Sequence, residues 1–297
     1  MPDPDPRHAA QPDRGAAYEQ LVFSGGGLRC FWHGGWMEVV ESRFALTPQR
    51  ITGSSGGALS AAAWIAGTET RLFDRFNRAL RRNDRNFTLD DLGPAHGRSP
   101  HQRVYDAIVE DVIDAAAQAR IAEGPVFQIN VSTTGDSAAA TLRALAAGTI
   151  YQVEQLVAPT PRPRASAAAG VEQRLIDATR AARDGTLPDL IRMAATVPPA
   201  FRPDTWNDEP IYDGGMVDKA PLPEPDRGRT LVLLTKRFHS LPDDEADRID
   251  YVQPSKTPLS GSKLDFTDPD LLREAWDQGH RDGAAWLKDN QPGGDPT

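Results

Sequence analysis

The chain has 297 residues, 39% hydrophobic and 25% charged, the balance of a globular protein with a sizeable core. A formal net charge of -9 argues against a nucleic-acid binder and gives no global attraction to anionic membranes. Its single cysteine, Cys30, excludes an internal disulfide and a cysteine-based structural metal site, and fits a reducing, cytoplasmic setting.

Residues 1–17, where Pro2, Pro4, Pro6 and Pro12 alternate with charges, read as a disordered tail without the apolar core of a signal peptide. Leu21-Val22-Phe23 predicts a short strand running into Gly25-Gly26-Gly27, and Phe31–Phe44 a helix. Arg50-Ile51-Thr52 leads into a serine-bearing turn and the Ala-rich helix Ala58–Ile65. A second helix covers Arg71–Arg82. Val104, Ile108, Val112, Ala115 and Ala119 recur at helical spacing and predict one long helix over Val104–Ile121. Val126–Val131 and Thr230–Thr235 read as strands, the latter apolar throughout, as in a parallel sheet buried on both faces.

Residues 158–170 carry Pro159, Pro161 and Pro163 and read as a surface loop. Leu271–Leu287 predicts a closing helix, followed by a tail over 289–297. No run of eighteen apolar residues is present to span a bilayer. The alternation predicts one α/β domain over 18–288, a three-layer sandwich around a mostly parallel sheet.

Three segments carry chemistry. Gly53-Ser54-Ser55-Gly56-Gly57 is a G-x-S-x-G frame between a strand and a helix. It sets the Ser55 hydroxyl on a sharp turn where the first N–H groups of the helix point at whatever it attacks. Gly53 and Gly57 keep side chains out of the way of the neighbouring strand and helix. A serine hydroxyl needs a base, and its attack on a carbonyl needs N–H donors for the oxyanion. Ser24-Gly25-Gly26-Gly27-Leu28-Arg29 can turn backbone N–H groups toward one point; a plain strand-to-helix connection has the same composition. It lacks the G-x-G-x-x-G spacing of a dinucleotide site. Asp213, in Ile211-Tyr212-Asp213-Gly214-Gly215, is the candidate base, although an ordinary β-turn reads the same way.

Taken together, the GGGxR loop, the G-x-S-x-G turn and the distant Asp-Gly-Gly resemble the patatin-like phospholipase family. Ala194–Phe201 is similar to that family's small-residue segment ending in Pro and an aromatic, and Asp213–Leu222 to its Asp-Gly-Gly segment with Pro221 following. The resemblance implies a patatin-like fold and a serine acyl hydrolase acting on lipid or other acyl esters without metal or organic cofactor. It implies Ser55 as nucleophile and Asp213 as base. Gly25, Gly26, Gly27 and Arg29 would form the oxyanion site, supported by Gly53, Gly57, Gly214 and Gly215. An aspartate at its usual pKa of ~4 is a poor base, so the dyad implies partial desolvation of Asp213.

Two positions depart from the family pattern. Cys30, Phe31 and Trp32 stand where a small glycine follows the arginine, an expected crowding of the site. Asp218 and Lys219 stand where Asn residues are usual, and a second carboxylate there either raises the pKa of Asp213 or pairs with Lys219.

Other readings stay open. Ser55, Asp213 and His239 occur in the chain order of an α/β-hydrolase triad. A silent lipid-binding or interaction module on the same fold is the alternative from another class. Arg71, Arg75, Arg78, Arg81, Arg82 and Arg85 make a basic amphipathic stretch that either meets a membrane surface transiently or turns its polar face to water. His33 either lines the pocket or packs in the core. Trp206 is expected in a loop before the Asp-Gly-Gly turn.

Overall fold

Gln20–Phe23, four residues with every side chain buried, form β1 in the interior of the sheet. This computed structural model describes residues 18–86, 98–133, 160–161, 171–197, 201, 204–242, 247–259 and 262–290. Residues 1–17, and 158–170 apart from 160–161, therefore lie outside the described residues. β1 leads through a 3-10 turn (Gly27–Cys30) into α1 (Phe31–Glu41). Then come β2 (Arg50–Ser54), α2 (Gly56–Ala66), α3 (Glu69–Leu80), α4 (Pro100–Val112), α5 (Ala115–Glu123) and β3 (Val126–Thr133). The chain continues with β4 (Glu172–Asp177), α6 (Ala178–Arg183), α7 (Leu187–Met193), β5 (Asp204–Trp206) and β6 (Glu209–Asp213). It closes with β7 (Thr230–Leu233), β8 (Ile249–Val252) and α8 (Asp270–Asp289).

The sheet runs β5-β6-β3-β2-β1-β7-β8, with β4 also paired to β3. β3, β2, β1, β7 and β8 are parallel; β4 and β6 run antiparallel to β3, and β5 antiparallel to β6. This is the mostly parallel central sheet with flanking helices that the sequence predicts. Alternation along β1 divides its side chains between the faces. Leu21 and Phe23 join the large core with the helices, whereas Val22 packs with Val232, Leu234, Ala220 and Phe238.

Two predicted elements differ in detail. The helix expected over Val104–Ile121 is two helices, because the Asp114 side chain accepts from Ala117 N at 2.9 Å and starts α5 afresh. Trp206 lies on β5 rather than in a loop. Asn207 and Asp208 both take positive φ (51° and 65°), the backbone of a two-residue hairpin turn joining β5 to β6.

The closing helix α8 lies against α1, and glycines make that approach possible. A Cβ on Gly279 would stand 2.7 Å from Trp36 N, and one on Gly35 2.9 Å from Trp276 C. The contact is locked by Trp32, whose Nε1 donates to Asp282 Oδ2 at 2.8 Å, and by the Trp36–Trp286 edge contact at 5.3 Å. Overpacking of this kind costs about 1–3 kcal/mol. Gly279→Ala is therefore expected to lower the melting temperature by several degrees in thermal denaturation, whereas Ala substitution of the unhindered, exposed Asp277 on the same helix is expected to leave it nearly unchanged.

Candidate active site

Ser55 separates β2 from α2 and adopts φ 54°, ψ -132°, a conformation that side chains other than glycine rarely take. The turn is held because α2 sits close on β1: a Cβ on Gly57 would lie 2.5 Å from Ser24 O. Ala58 N donates to Ser55 O at 2.9 Å and opens the helix directly after the serine. The strain thus serves to lift one hydroxyl off the end of a strand, at the N-terminus of a helix.

Asp213 reaches that hydroxyl through the register of β3. β4 occupies one edge of β3 over Gln128–Thr133, so β2 and β6 share the other. β2 runs parallel and ends with Ser54 opposite Asn130; β6 runs antiparallel and ends with Asp213 opposite Val131. The carboxyl ends of the two strands therefore meet head to head on consecutive residues of β3. Asn130, fully buried, clamps the junction: its Nδ2 donates to Asp218 O at 2.7 Å and to Ser54 Oγ at 3.3 Å. Asp213 N donates to Thr196 O at 2.8 Å, and Ser132 Oγ to Asp213 O at 3.0 Å.

Asp213 is 2% exposed, its Oδ1 accepts from Gly215 N at 2.7 Å, and it lines the same pocket as Ser55. Burial raises its pKa above the ordinary carboxylate range; the neighbouring Ser55 hydroxyl and Gly215 N, then the charges of Lys263 and Lys219, pull it partly back. Asp218 Oδ1 accepts from Ala220 N at 2.9 Å.

In the glycine loop the N–H groups are divided. Gly25 N donates to Lys219 O at 2.9 Å, Leu28 N to Lys263 O at 2.9 Å, and Arg29 N to Gly26 O at 3.2 Å. Among the described residues, the N–H groups of Gly26, Gly27 and Gly56 donate to no partner. Gly25 instead brings the loop against the elbow, where its Cβ position lies 3.3 Å from Ser55 Cβ.

These elements line one pocket containing Ser55, Asp213, Gly27 and Gly56, walled mainly by apolar side chains from α3, α4 and the loops before β5 and α8. Phe31 stacks edge-on against Phe76 at 5.1 Å and forms part of that wall. Cys30 lines it too, its thiol pushed well up by burial. Trp32 does not: it points into the core toward α8.

Lys263 was not legible as a site residue, since no local motif surrounds it. It lines the pocket beside Asp213, and burial, with Arg29 nearby, lowers its pKa to about 8. Arg29 acts on Lys236 as well; of these three cations, Lys263 lines the pocket with Ser55.

The remaining candidates fall elsewhere. His239 is exposed and lies outside the pocket. His33 is fully buried with Nε2 3.2 Å from Leu233 O, and burial lowers its pKa to about 3, so it is a neutral core residue. In α3, Arg71 pairs with Asp114 at 2.7 Å and Arg75 with Asp111 at 2.6 Å, which ties that end of the basic face to α4 and α5. Among the described residues no cluster of His, Cys, Asp or Glu could hold a metal ion, and no helix is long and apolar enough to cross a membrane.

The family described as patatin-like phospholipase matches residues 21–226, from β1 through the elbow and past the Asp-Gly-Gly turn. The chain belongs to the patatin-like phospholipase family. Membership places it among lipid acyl hydrolases in general. No curated protein sequence matches it. Among solved structures, VipD from Legionella pneumophila is similar, with 11% identity, coverage of 92% of this chain and 67% of that one, and a TM-score of 0.49.

The Asn130 clamp gives this patatin-like site a test. Asn130→Ala strips the bond from two buried acceptors, at a cost of about 1–3 kcal/mol, and loosens the meeting of β2 and β6. The variant is expected to melt at lower temperature and, at a temperature where it remains folded, to lose at least tenfold in ester kcat/KM.

Proposed function

We propose that the protein is a serine lipid acyl hydrolase, phospholipase A-like or a carboxylesterase, working through a Ser55–Asp213 dyad within a single domain over 18–288. The observation that carries the reading is that Ser55, on its strained turn, and the buried Asp213 face one pocket, where the two interact and burial raises the pKa of Asp213. Asp213 accepts the hydroxyl proton as Ser55 Oγ attacks the ester carbonyl. The unengaged N–H groups of Gly26 and Gly27, with that of Gly56, receive the oxyanion. The C–O bond to the alcohol breaks, and the alcohol leaves with the proton from Asp213. Water then gives a proton to Asp213 and attacks the acyl-enzyme; the acid departs, and the proton returns to Ser55. Histidine has no part in the scheme, and the outward position of His239 supports that.

Ser55→Ala and Asp213→Asn are each expected to lower kcat on a p-nitrophenyl ester by at least a thousandfold, with His239→Ala close to wild type. Loss in His239→Ala with retention in Asp213→Asn would overturn the dyad.

The acid limb of the pH profile follows from the sign of the Asp213 shift. The base works ionised, and burial raises its pKa. Activity is therefore expected to fall, as pH drops, through an apparent pKa above the ~4 of a free aspartate.

Lys263, lining the pocket beside Asp213, favours an anionic group on the substrate, which supports phospholipids over neutral glycerides. With Lys263 titrating at about 8, its ammonium is charged below that pH and neutral above it. Turnover of an anionic phospholipid is expected to decline above about pH 8 while a neutral ester of the same acyl chain keeps its rate. Lys263→Gln should flatten the difference, measured as the ratio of the two kcat/KM values across pH.

A further inference from the structure

An open groove runs along the outer seam of α3 and α4. Arg75, Arg78 and Arg82 recur at helical spacing along α3 and the turn after it, and Arg103 lines the same groove from α4. Between the arginines the floor is apolar, with Ala79 from α3 and Val104 and Ile108 from α4.

The four arginines are not equivalent. Arg75 is held at 2.6 Å by Asp111, the one carboxylate in the lining, which Arg71 also approaches at 3.4 Å. Arg78, Arg82 and Arg103 are exposed, and among the described residues none of them pairs with a carboxylate. Arg78 Nε donates to Asp74 O at 3.3 Å and Arg103 Nη1 to Arg98 O at 2.5 Å, backbone acceptors that leave the guanidinium charge uncompensated. Nearby acidic side chains are engaged elsewhere: Asp84 by Arg85 at 3.0 Å, Asp106 by Arg98 at 2.8 Å and Glu110 by Arg192 at 2.8 Å. Asp74 is exposed on α3 and stands outside the lining. A chain of net charge -9 thus carries a local site of unneutralised positive charge.

Guanidinium groups present forked N–H donors that match phosphate oxygens. Among the described residues the lining holds no aromatic side chain on which the bases of a nucleic acid could stack. Its apolar floor suits the boundary between lipid head groups and acyl chains instead. The same two helices wall the pocket of Ser55, since Leu72 and Phe76 of α3 and His101 and Tyr105 of α4 line it from adjacent stripes.

We propose that the α3–α4 groove is a docking surface for bilayers bearing anionic phospholipids, with Arg78, Arg82 and Arg103 taking the lipid phosphates. The choice of a bilayer as occupant rests on the reading of the protein as a lipid hydrolase. Docking there brings two walls of the Ser55 pocket to the lipid surface. The attraction is local, because charges on the rest of the chain are screened beyond about 8 Å at physiological ionic strength.

The test is flotation with phosphatidylcholine vesicles, with and without phosphatidylglycerol, for wild type, Arg78→Gln/Arg82→Gln/Arg103→Gln and the charge-matched control Arg43→Gln/Arg183→Gln/Lys288→Gln. Wild type is expected to float only with the anionic vesicles, and less so at high salt. Each arginine at a bilayer surface is worth about fivefold in partitioning, so the groove variant is expected to lose about a hundredfold. The control is expected to bind nearly as wild type does. Melting curves and turnover of a soluble p-nitrophenyl ester, both expected unchanged, show that the groove variant is folded. Wild type that ignores anionic vesicles, or a control that loses as much as the groove variant, overturns the inference and leaves the hydrolase reading intact. So does binding of a soluble polyphosphate through these arginines in a protein that does not float. If wild type turns over no ester, the hydrolase reading falls, and flotation alone still decides the docking surface.

Discussion

The site depends on the division of one strand edge. β3 offers a single edge to two strands of opposite direction, and their carboxyl ends meet at Asn130 and Val131. Strand C-terminal ends are where open α/β sheets place their ligands; here two such ends face each other, one carrying Ser55 and the other Asp213. Residues 158 positions apart in the sequence come to line one pocket without either leaving regular structure by more than one position. A slip of one residue in either pairing would turn the strand's side chains to the opposite faces, so Ser55, Asp213 and the core share a register. The Asn130 bonds to Asp218 O and Ser54 Oγ hold that register with groups buried from water.

Around this junction the electrostatics oppose one another. Burial drives Asp213 toward its neutral form, while Ser55, Gly215 N and the two nearby lysines favour the carboxylate. The balance leaves Asp213 more basic than a free aspartate. The same burial lowers the pKa of Lys263, so opposite charges are destabilised together in one pocket. The backbone strain at Ser55 belongs to the same design. It is tolerated because close packing of α2 on β1 fixes both sides of the turn.

What was legible in the sequence was the chemistry that demands particular residue types at short spacing: the elbow around Ser55, the glycine loop, and the Asp-Gly-Gly turn. The apolar runs Leu21–Phe23 in β1 and Leu231–Leu233 in β7 were legible for the same reason, since a strand buried on both faces has little latitude. The long amphipathic pattern from Val104 onward misled because Ala115 and Ala119 keep the apolar period running across the break that Asp114 imposes. β4 begins Glu172-Gln173-Arg174 and shows no strand pattern, as its outer edge is solvated. The β5–β6 hairpin was hidden because Asn207-Asp208 signals a turn but the strands beside it are only three and five residues long. Lys263 and Asn130 were silent for a different reason. Each gains its role from neighbours far away in the chain, and a local window contains nothing to mark it. The crowding expected from Cys30, Phe31 and Trp32 divided in space, because alternate positions on a helix turn face different neighbours: Cys30 and Phe31 toward the pocket, Trp32 toward α8.

The central claim is that the meeting of β2 and β6 makes Ser55 a nucleophile through Asp213. The most direct measurement is the rate at which a fluorophosphonate modifies the protein, followed by intact mass across pH in wild type, Asp213→Asn and His239→Ala. The account predicts a single adduct on Ser55, formed at a rate that rises through an apparent pKa above that of a free aspartate. It predicts that Asp213→Asn abolishes the rate and that His239→Ala leaves it unchanged. An adduct on Ser55 that forms equally fast without the Asp213 carboxylate would contradict it.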